Sequence, residues 1–248
     1  MTKWKQDAGH GGKDPGAVAK GNIEKVYTLE AALYVNKRLI DHGIESECSR
    51  YKDETLDEDQ RVAKVKKFNK CMSHHLNAGG GSGIEVIHSI YSDGKFEHLL
   101  IEEFRAAGYP VRPRPVFFRS LPNNPKQDFY YMHRRTGDCR TTIIEYDFVD
   151  GPQAEKIKDQ AYREGMYECV VRAICRDEGV MYKPLNQKAD IVIGEQKLTP
   201  EQEKVRQEAI RLGITDGKDP FGDINRMYLW SSQIPLARRV EELEKKLK

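Results

Sequence analysis

Between residues 24 and 41 apolar side chains recur at Val26, Leu29, Leu33 and Ile40, near the 3.6-residue period of a helix, and Gly43 ends the run. Just upstream, residues 3–7 read as a short strand, so the glycine-rich stretch Gly9-His10-Gly11-Gly12 links a strand to a helix. Residues 44–50 read as the next strand. Thr55 and Glu58 have the spacing of a capping box and predict a helix over 57–68. Strands are expected at 71–77 and 84–91 around a glycine turn, a helix at 96–107 stopped by Gly108, strands at 116–118 and 141–149, and a long helix at 154–177. Strands alternating with helices predict an α/β fold over residues 1–178, a layered, largely parallel sheet flanked by helices. Residues 179–198 are irregular, contain Pro184 and read as a linker with a short strand at 191–193. Helical patterns at 199–212 and 234–247, around a loop at 213–223, predict a small helical domain over 199–248. The row Val240, Leu243 and Leu247 in that region fits either a monomer or a homodimer.

Composition narrows the function classes. The chain has 248 residues, and 41 basic against 39 acidic residues give a formal charge of +2. That balance lacks the concentrated basic face of a nucleic-acid binder. Cys48, Cys71, Cys139, Cys169 and Cys175 are odd in number and irregularly spaced, which predicts reduced thiols, with Cys169 and Cys175 as core residues. No run is long enough for membrane insertion. The opening Met-Thr-Lys-Trp-Lys-Gln-Asp is followed by no apolar run, so synthesis in a host cytoplasm without a signal peptide is expected, with action elsewhere only after release.

Four short segments carry candidate chemistry. His10 sits between glycines, in a polar turn that suits a metal ligand better than a packing role. Glu24 opens a helix, where a carboxylate fits either the helix dipole or a metal. In Ser73-His74-His75-Leu76-Asn77-Ala78 the two imidazoles project to opposite faces of a strand, so one of them is the candidate ligand and strand geometry does not choose between them. Glu145 ends an apolar strand and is either a solvent-facing acid or, beside a metal-activated water, a general base. His133 reads as a surface histidine.

Taken in order, Asp7-Ala8-Gly9-His10-Gly11-Gly12 with Asp14-Pro15-Gly16-Ala17, Glu24, Ser73-His74-His75-Leu76-Asn77-Ala78 with Gly83-Ile84-Glu85, and Ile144-Glu145-Tyr146-Asp147-Phe148 resemble the zinc-dependent N-acetylmuramoyl-L-alanine amidases of the type 3 family. The resemblance covers roughly residues 3–176. It implies Zn2+ held by His10, Glu24 and His75, Glu145 as the catalytic carboxylate, and cleavage of the bond between N-acetylmuramic acid and L-alanine in bacterial peptidoglycan. The alternatives to that function are a wall-binding protein without turnover and a zinc peptidase of the stem peptide. The expected lack of an export signal favours a phage or prophage endolysin over a secreted autolysin, with a sporulation amidase made in a mother cell as a further option. The family more often has proline at the position of Ala8, which here is expected to loosen the turn. It more often has glycine at the position of Asp147, whose charge is expected to raise the pKa of Glu145. Leu212-Gly213-Ile214-Thr215-Asp216-Gly217 faintly resembles half of an S-layer homology motif and the tails of some phage lysins.

Overall fold

The structure, a computed structural model, describes residues 2–185 and, beyond them, Lys204, Gln207, Glu208 and Arg211, which are helical. The chain divides into two compact units, Met1–Pro184 and Leu185–Lys248. The strand expected at 191–193, the loop at 213–223 with its motif, the helix at 234–247, the apolar row Val240, Leu243 and Leu247, and the rest of the helix at 199–212 lie outside the described residues. No described helix is long and apolar enough to cross a membrane.

The elements of the first unit are β1 (Lys3–Ala8), the hairpin β2 (Val18–Ala19) and β3 (Asn22–Ile23), α1 (Glu24–Asp41), β4 (Glu45–Cys48), α2 (Glu58–Val65), β5 (Lys70–Asn77), β6 (Ile84–Ile87), α3 (Lys95–Ala106), β7 (Val111–Phe117), the hairpin β8 (Ser120–Leu121) and β9 (Asn124–Asp128), α4 (Tyr131–Arg134), β10 (Arg140–Phe148) and α5 (Gln160–Asp177). Six strands form one sheet in the order β4-β1-β5-β10-β6-β7. The first four are mutually parallel, while β6 runs antiparallel to β10 and β7 follows β6. The glycine-rich link from Asn77 to Ile84 is too short for a crossover helix, and parallel strands need a connection of a dozen or more residues, so β6 runs back.

Alternation along β5 divides the molecule. Met72 and Leu76 enter the larger core with Val35, Leu100 and Ile174 of α1, α3 and α5. Cys71 faces the other way, into a smaller cluster with Val65, Ile87, Met132, Cys139 and Ile143. Cys169 and Cys175 are fully buried in the larger core, and all five thiols are free.

Several boundaries differ from expectation. The capping box falls two residues later: Asp57 accepts from the Gln60 N–H at 2.8 Å and the Gln60 side-chain oxygen accepts from the Asp57 N–H, while Thr55 Oγ1 accepts from the Lys13 N–H and ties the glycine loop. Strand β7 starts five residues before the 116–118 expected, because Pro113 and Pro115 obscure it, and both are tolerated on an edge strand. Helix α5 starts at Gln160, since Asp159 caps it after a short turn at Lys156–Lys158. Val180 and Tyr182, within the expected linker, pack on the larger core.

Candidate metal centre

The loop after β1 is held by side chains from outside it. His10 adopts a left-handed conformation, φ +56°, uncommon for a residue with a Cβ. Arginines hold the carbonyls around it. Arg61 donates from Nη1 to the Ala8 oxygen at 2.6 Å and from Nη2 to the His10 oxygen at 2.9 Å. Arg50 Nη2 and Thr28 Oγ1 both donate to the Gly9 oxygen, at 3.0 and 2.7 Å. Arg61 is itself anchored on Asp7 at 2.6 Å, and Ser73 donates to the other Asp7 oxygen. Burial works against the Asp7 charge, but Arg61 and the Ser49 and Ser73 hydroxyls hold its pKa below the usual range. Ala8 does not loosen the turn: its N–H donates to Ser49 Oγ at 3.2 Å, a bond proline cannot make.

Three candidate ligands converge at the carboxyl ends of β1 and β5. His10, Glu24 and His75 each offer a ligand atom, and these atoms lie within 4.8 Å of one another. His10 Nε2 and His75 Nδ1 both approach Glu24 Oε1 at 3.1 Å, with the rings edge to face, 5.1 Å between centroids. Helix α1 opens on Glu24 without a side-chain cap, and the carboxylate itself accepts from the Ala17 and Leu76 N–H groups at 2.8 and 3.0 Å. Burial opposes ionisation of Glu24, but hydrogen bonds from both imidazoles hold its pKa well below the usual range. His10 Nδ1 meets Asp14 Oδ2 at 2.8 Å. Burial disfavours charging His10, yet Glu24 and then Asp14 raise its pKa overall. Close approach explains two glycines: a Cβ on Gly9 would sit 2.3 Å from the His75 ring, and one on Gly16 would sit 2.6 Å from Glu24 Oε2.

His74 and His75 divide as strand alternation requires. His74 is fully buried, bonded to Tyr146 Oη at 2.9 Å and Gln6 Oε1 at 3.1 Å, and burial lowers its pKa to about 3. His75 lies on the opposite face, with Glu24.

Glu145 on β10 is in direct register with His75 on β5 and with Glu85 on β6, so three functional side chains form one row across the sheet. Glu145 is half-buried, yet its Oε2 reaches neither solvent nor a hydrogen-bond partner. Burial first, and then the charges of Glu24 and Glu85, raise its pKa well above the usual carboxylate range. Asp147 is not among the charges acting on it; that carboxylate turns to the Gly83 and Phe148 N–H groups at 3.0 and 2.8 Å. Two imidazoles and one carboxylate match the donor set that catalytic zinc sites use, in which water takes a fourth position. An unpartnered carboxyl oxygen in the neighbouring strand fits a proton acceptor beside such a cation.

His133 is buried at 8 % exposure, contrary to its reading as a surface residue. It packs edge-on against Tyr130, neither ring nitrogen makes a hydrogen bond, and burial lowers its pKa to about 4. Sequence reasoning assigned no role to Asp14, Arg61, Glu85 or Arg112. Asp14 and Glu85 stand inside quoted motifs, whereas Arg61 and Arg112 carry no local signal.

The family described as N-acetylmuramoyl-L-alanine amidase, Amidase_3, matches residues 7–176. The N-acetylmuramoyl-L-alanine amidase CwlM of Bacillus licheniformis is 38 % identical over 176 residues, 65 % of this chain and 63 % of that protein. YqiI of Bacillus subtilis, an uncharacterised protein, is 27 % identical over 176 residues, 68 % of this chain and 81 % of that one. The catalytic domain of CwlV, an N-acetylmuramoyl-L-alanine amidase from Bacillus (Paenibacillus) polymyxa var. colistinus, superposes with a TM-score of 0.64 at 24 % identity, covering 73 % of this chain and all of that one, 100 %. That likeness shows a shared α/β fold, with a central sheet flanked by helices.

Proposed function

The chain belongs to the Amidase_3 family of N-acetylmuramoyl-L-alanine amidases, and from that premise we propose that it is a zinc-dependent hydrolase of the amide joining N-acetylmuramic acid to L-alanine in bacterial peptidoglycan. The observation that carries this reading is the cluster His10, Glu24 and His75, with ligand atoms within 4.8 Å of one another, beside the unpartnered carboxyl oxygen of Glu145. Zinc held by those three residues would supply Lewis-acid chemistry, polarising the lactyl carbonyl and acidifying a water.

The chain's own groups do the rest. Asp14 holds Nδ1 of His10 and so leaves Nε2 for the ligand position. Arg50, Arg61 and Thr28 keep the loop in place, so binding requires little reorganisation. Glu145 takes the proton of the attacking water as its oxygen adds to the lactyl carbon. It then delivers that proton to the alanine nitrogen as the carbon–nitrogen bond breaks, leaving a lactyl carboxylate and a free alanine amine.

Digestion of purified peptidoglycan with and without chelator tests the reading. New amino-terminal alanine that disappears with chelator is expected. Cuts confined to bonds within the stem peptide identify a peptidase, and binding without new termini identifies a wall-binding protein; either overturns the proposal. A phage or prophage lysin is the biological setting we propose, supported by the likeness of residues 212–217 to lysin tails; failure of the chain to open walls of any host when applied with a membrane-permeabilising agent contradicts it.

A further inference from the structure

The row of functional groups does not stop at Glu145. Glu85, its direct partner on β6, takes Arg112 Nε at 2.8 Å on one oxygen and the Asn77 side-chain amide at 2.7 Å on the other. The Arg112 guanidinium also lies 5.1 Å from the centre of the Phe148 ring. A Cβ on Gly81 would stand 2.5 Å from that ring and 2.9 Å from Arg112 Nη1, so the glycine leaves room for the stack. Thus a half-exposed guanidinium is held by its Nε and by one face. Its two terminal nitrogens make no hydrogen bond among the described residues. The buried arginines of this unit behave differently: Arg50, Arg61 and Arg163 all commit terminal nitrogens to protein acceptors.

Resting on the amidase reading above, we infer that Arg112 is the specificity residue that receives a free carboxylate on the stem residue following L-alanine. In the stem that residue is a glutamate joined through its γ-carboxyl, which leaves the α-carboxyl either free or amidated. A planar guanidinium distinguishes these two forms because its fork matches a carboxylate in charge and geometry. The charge lies beside Glu145 along the row: Arg112 Nε is 2.8 Å from Glu85 Oε2, and Glu85 stands one strand, about 4.8 Å, from Glu145. A stem running past Glu145 in this direction brings its second residue, about 3.5 Å further along the chain, toward the guanidinium. Glu85 is the positioning residue, holding Nε so that the terminal nitrogens face outward.

The test uses the full chain and two synthetic substrates with the γ-carboxyl blocked as its methylamide, N-acetylmuramoyl-L-alanyl-D-glutamate γ-methylamide and its isoglutamine counterpart, so that only the α-carboxyl differs. Wild type is expected to favour the acid about tenfold or more in kcat/KM, Arg112→Met to treat both alike, and Arg112→Lys to fall between. Calorimetric titration with the corresponding γ-methylamide dipeptides, L-alanyl-D-glutamate and L-alanyl-D-isoglutamine, reads the same preference without turnover. A purely structural Arg112 would lower both substrates equally and keep their ratio. Equal use of the two by wild type, or a preference that survives Arg112→Met, overturns the inference and leaves the amidase reading intact. Hydrolysis of neither substrate overturns the amidase reading, and the titration then decides on Arg112 alone.

Discussion

The two sides of the row His75–Glu145–Glu85 are built in opposite ways. On the α1–β1–β5 side the polar atoms are claimed: Glu24 by two backbone N–H groups and two imidazoles, His10 by Asp14, and the loop carbonyls by Arg50, Arg61 and Thr28. On the β10–β6–β7 side, Glu145 Oε2 and Asp147 Oδ2 are buried without a partner, and the terminal nitrogens of Arg112 are uncommitted. Buried polar groups are normally satisfied; unpartnered ones also occur away from the row, at Asn36, Glu97 and His133, but Glu145 Oε2 is the one in register with His75 beside the His10–Glu24–His75 cluster. One side is a hydrogen-bonded cradle. The other leaves polar atoms uncommitted, as the proposed chemistry requires.

Variants of the cradle should show the largest effect. His10→Ala or His75→Ala is expected to abolish zinc retention and turnover together, by elemental analysis and peptidoglycan digestion; full zinc content in both breaks the comparison. On the open side, Glu145→Gln should keep its zinc and lose about 10²–10⁴-fold in rate, the range for removal of a general base. Loss of zinc in that variant would place Glu145 in the cradle instead.

Support of the cradle is tested next. Arg61→Ala leaves the fully buried Asp7 carboxylate without its cation, so about 3–5 kcal/mol of unfolding free energy should be lost in denaturant titration. An unchanged midpoint would mean that the pair is dispensable.

The smallest effect concerns pH. His133 has a folded-state pKa of about 4, below the ordinary value of 6.5. Between those values the unfolded chain binds more protons, so stability falls as pH drops from 6.5 to 4, by on the order of 3 kcal/mol from this group. The loss between pH 7 and pH 4 should therefore shrink in His133→Phe. An identical loss in wild type and variant would show that His133 gains water or a partner in solution.

Much of the cradle was legible in the sequence because its residues sit in short motifs: a histidine among glycines, an acid opening a periodic helix, an imidazole two residues before an asparagine. Strand alternation explained why only one of His74 and His75 reaches the site, and the family resemblance indicated His75. Side chains that act across sequence distance were not legible. Arg61 comes from α2 to hold two loop carbonyls, and Arg112 lies in a proline-interrupted edge strand that hides its own periodicity. His133 misled because a polar, basic neighbourhood in sequence turned inward against Tyr130. The capping box moved by two residues because Asp57 competed successfully for the cap, leaving Thr55 to the glycine loop.

The central claim is that His10, Glu24 and His75 hold one zinc ion beside Glu145. Anomalous scattering at the zinc edge, from crystals of the chain grown with zinc, tests it most directly. One strong peak within bonding distance of all three residues, with Glu145 outside the coordination sphere, is the result this account predicts. A peak elsewhere, or direct coordination by Glu145 in place of Glu24, would contradict it.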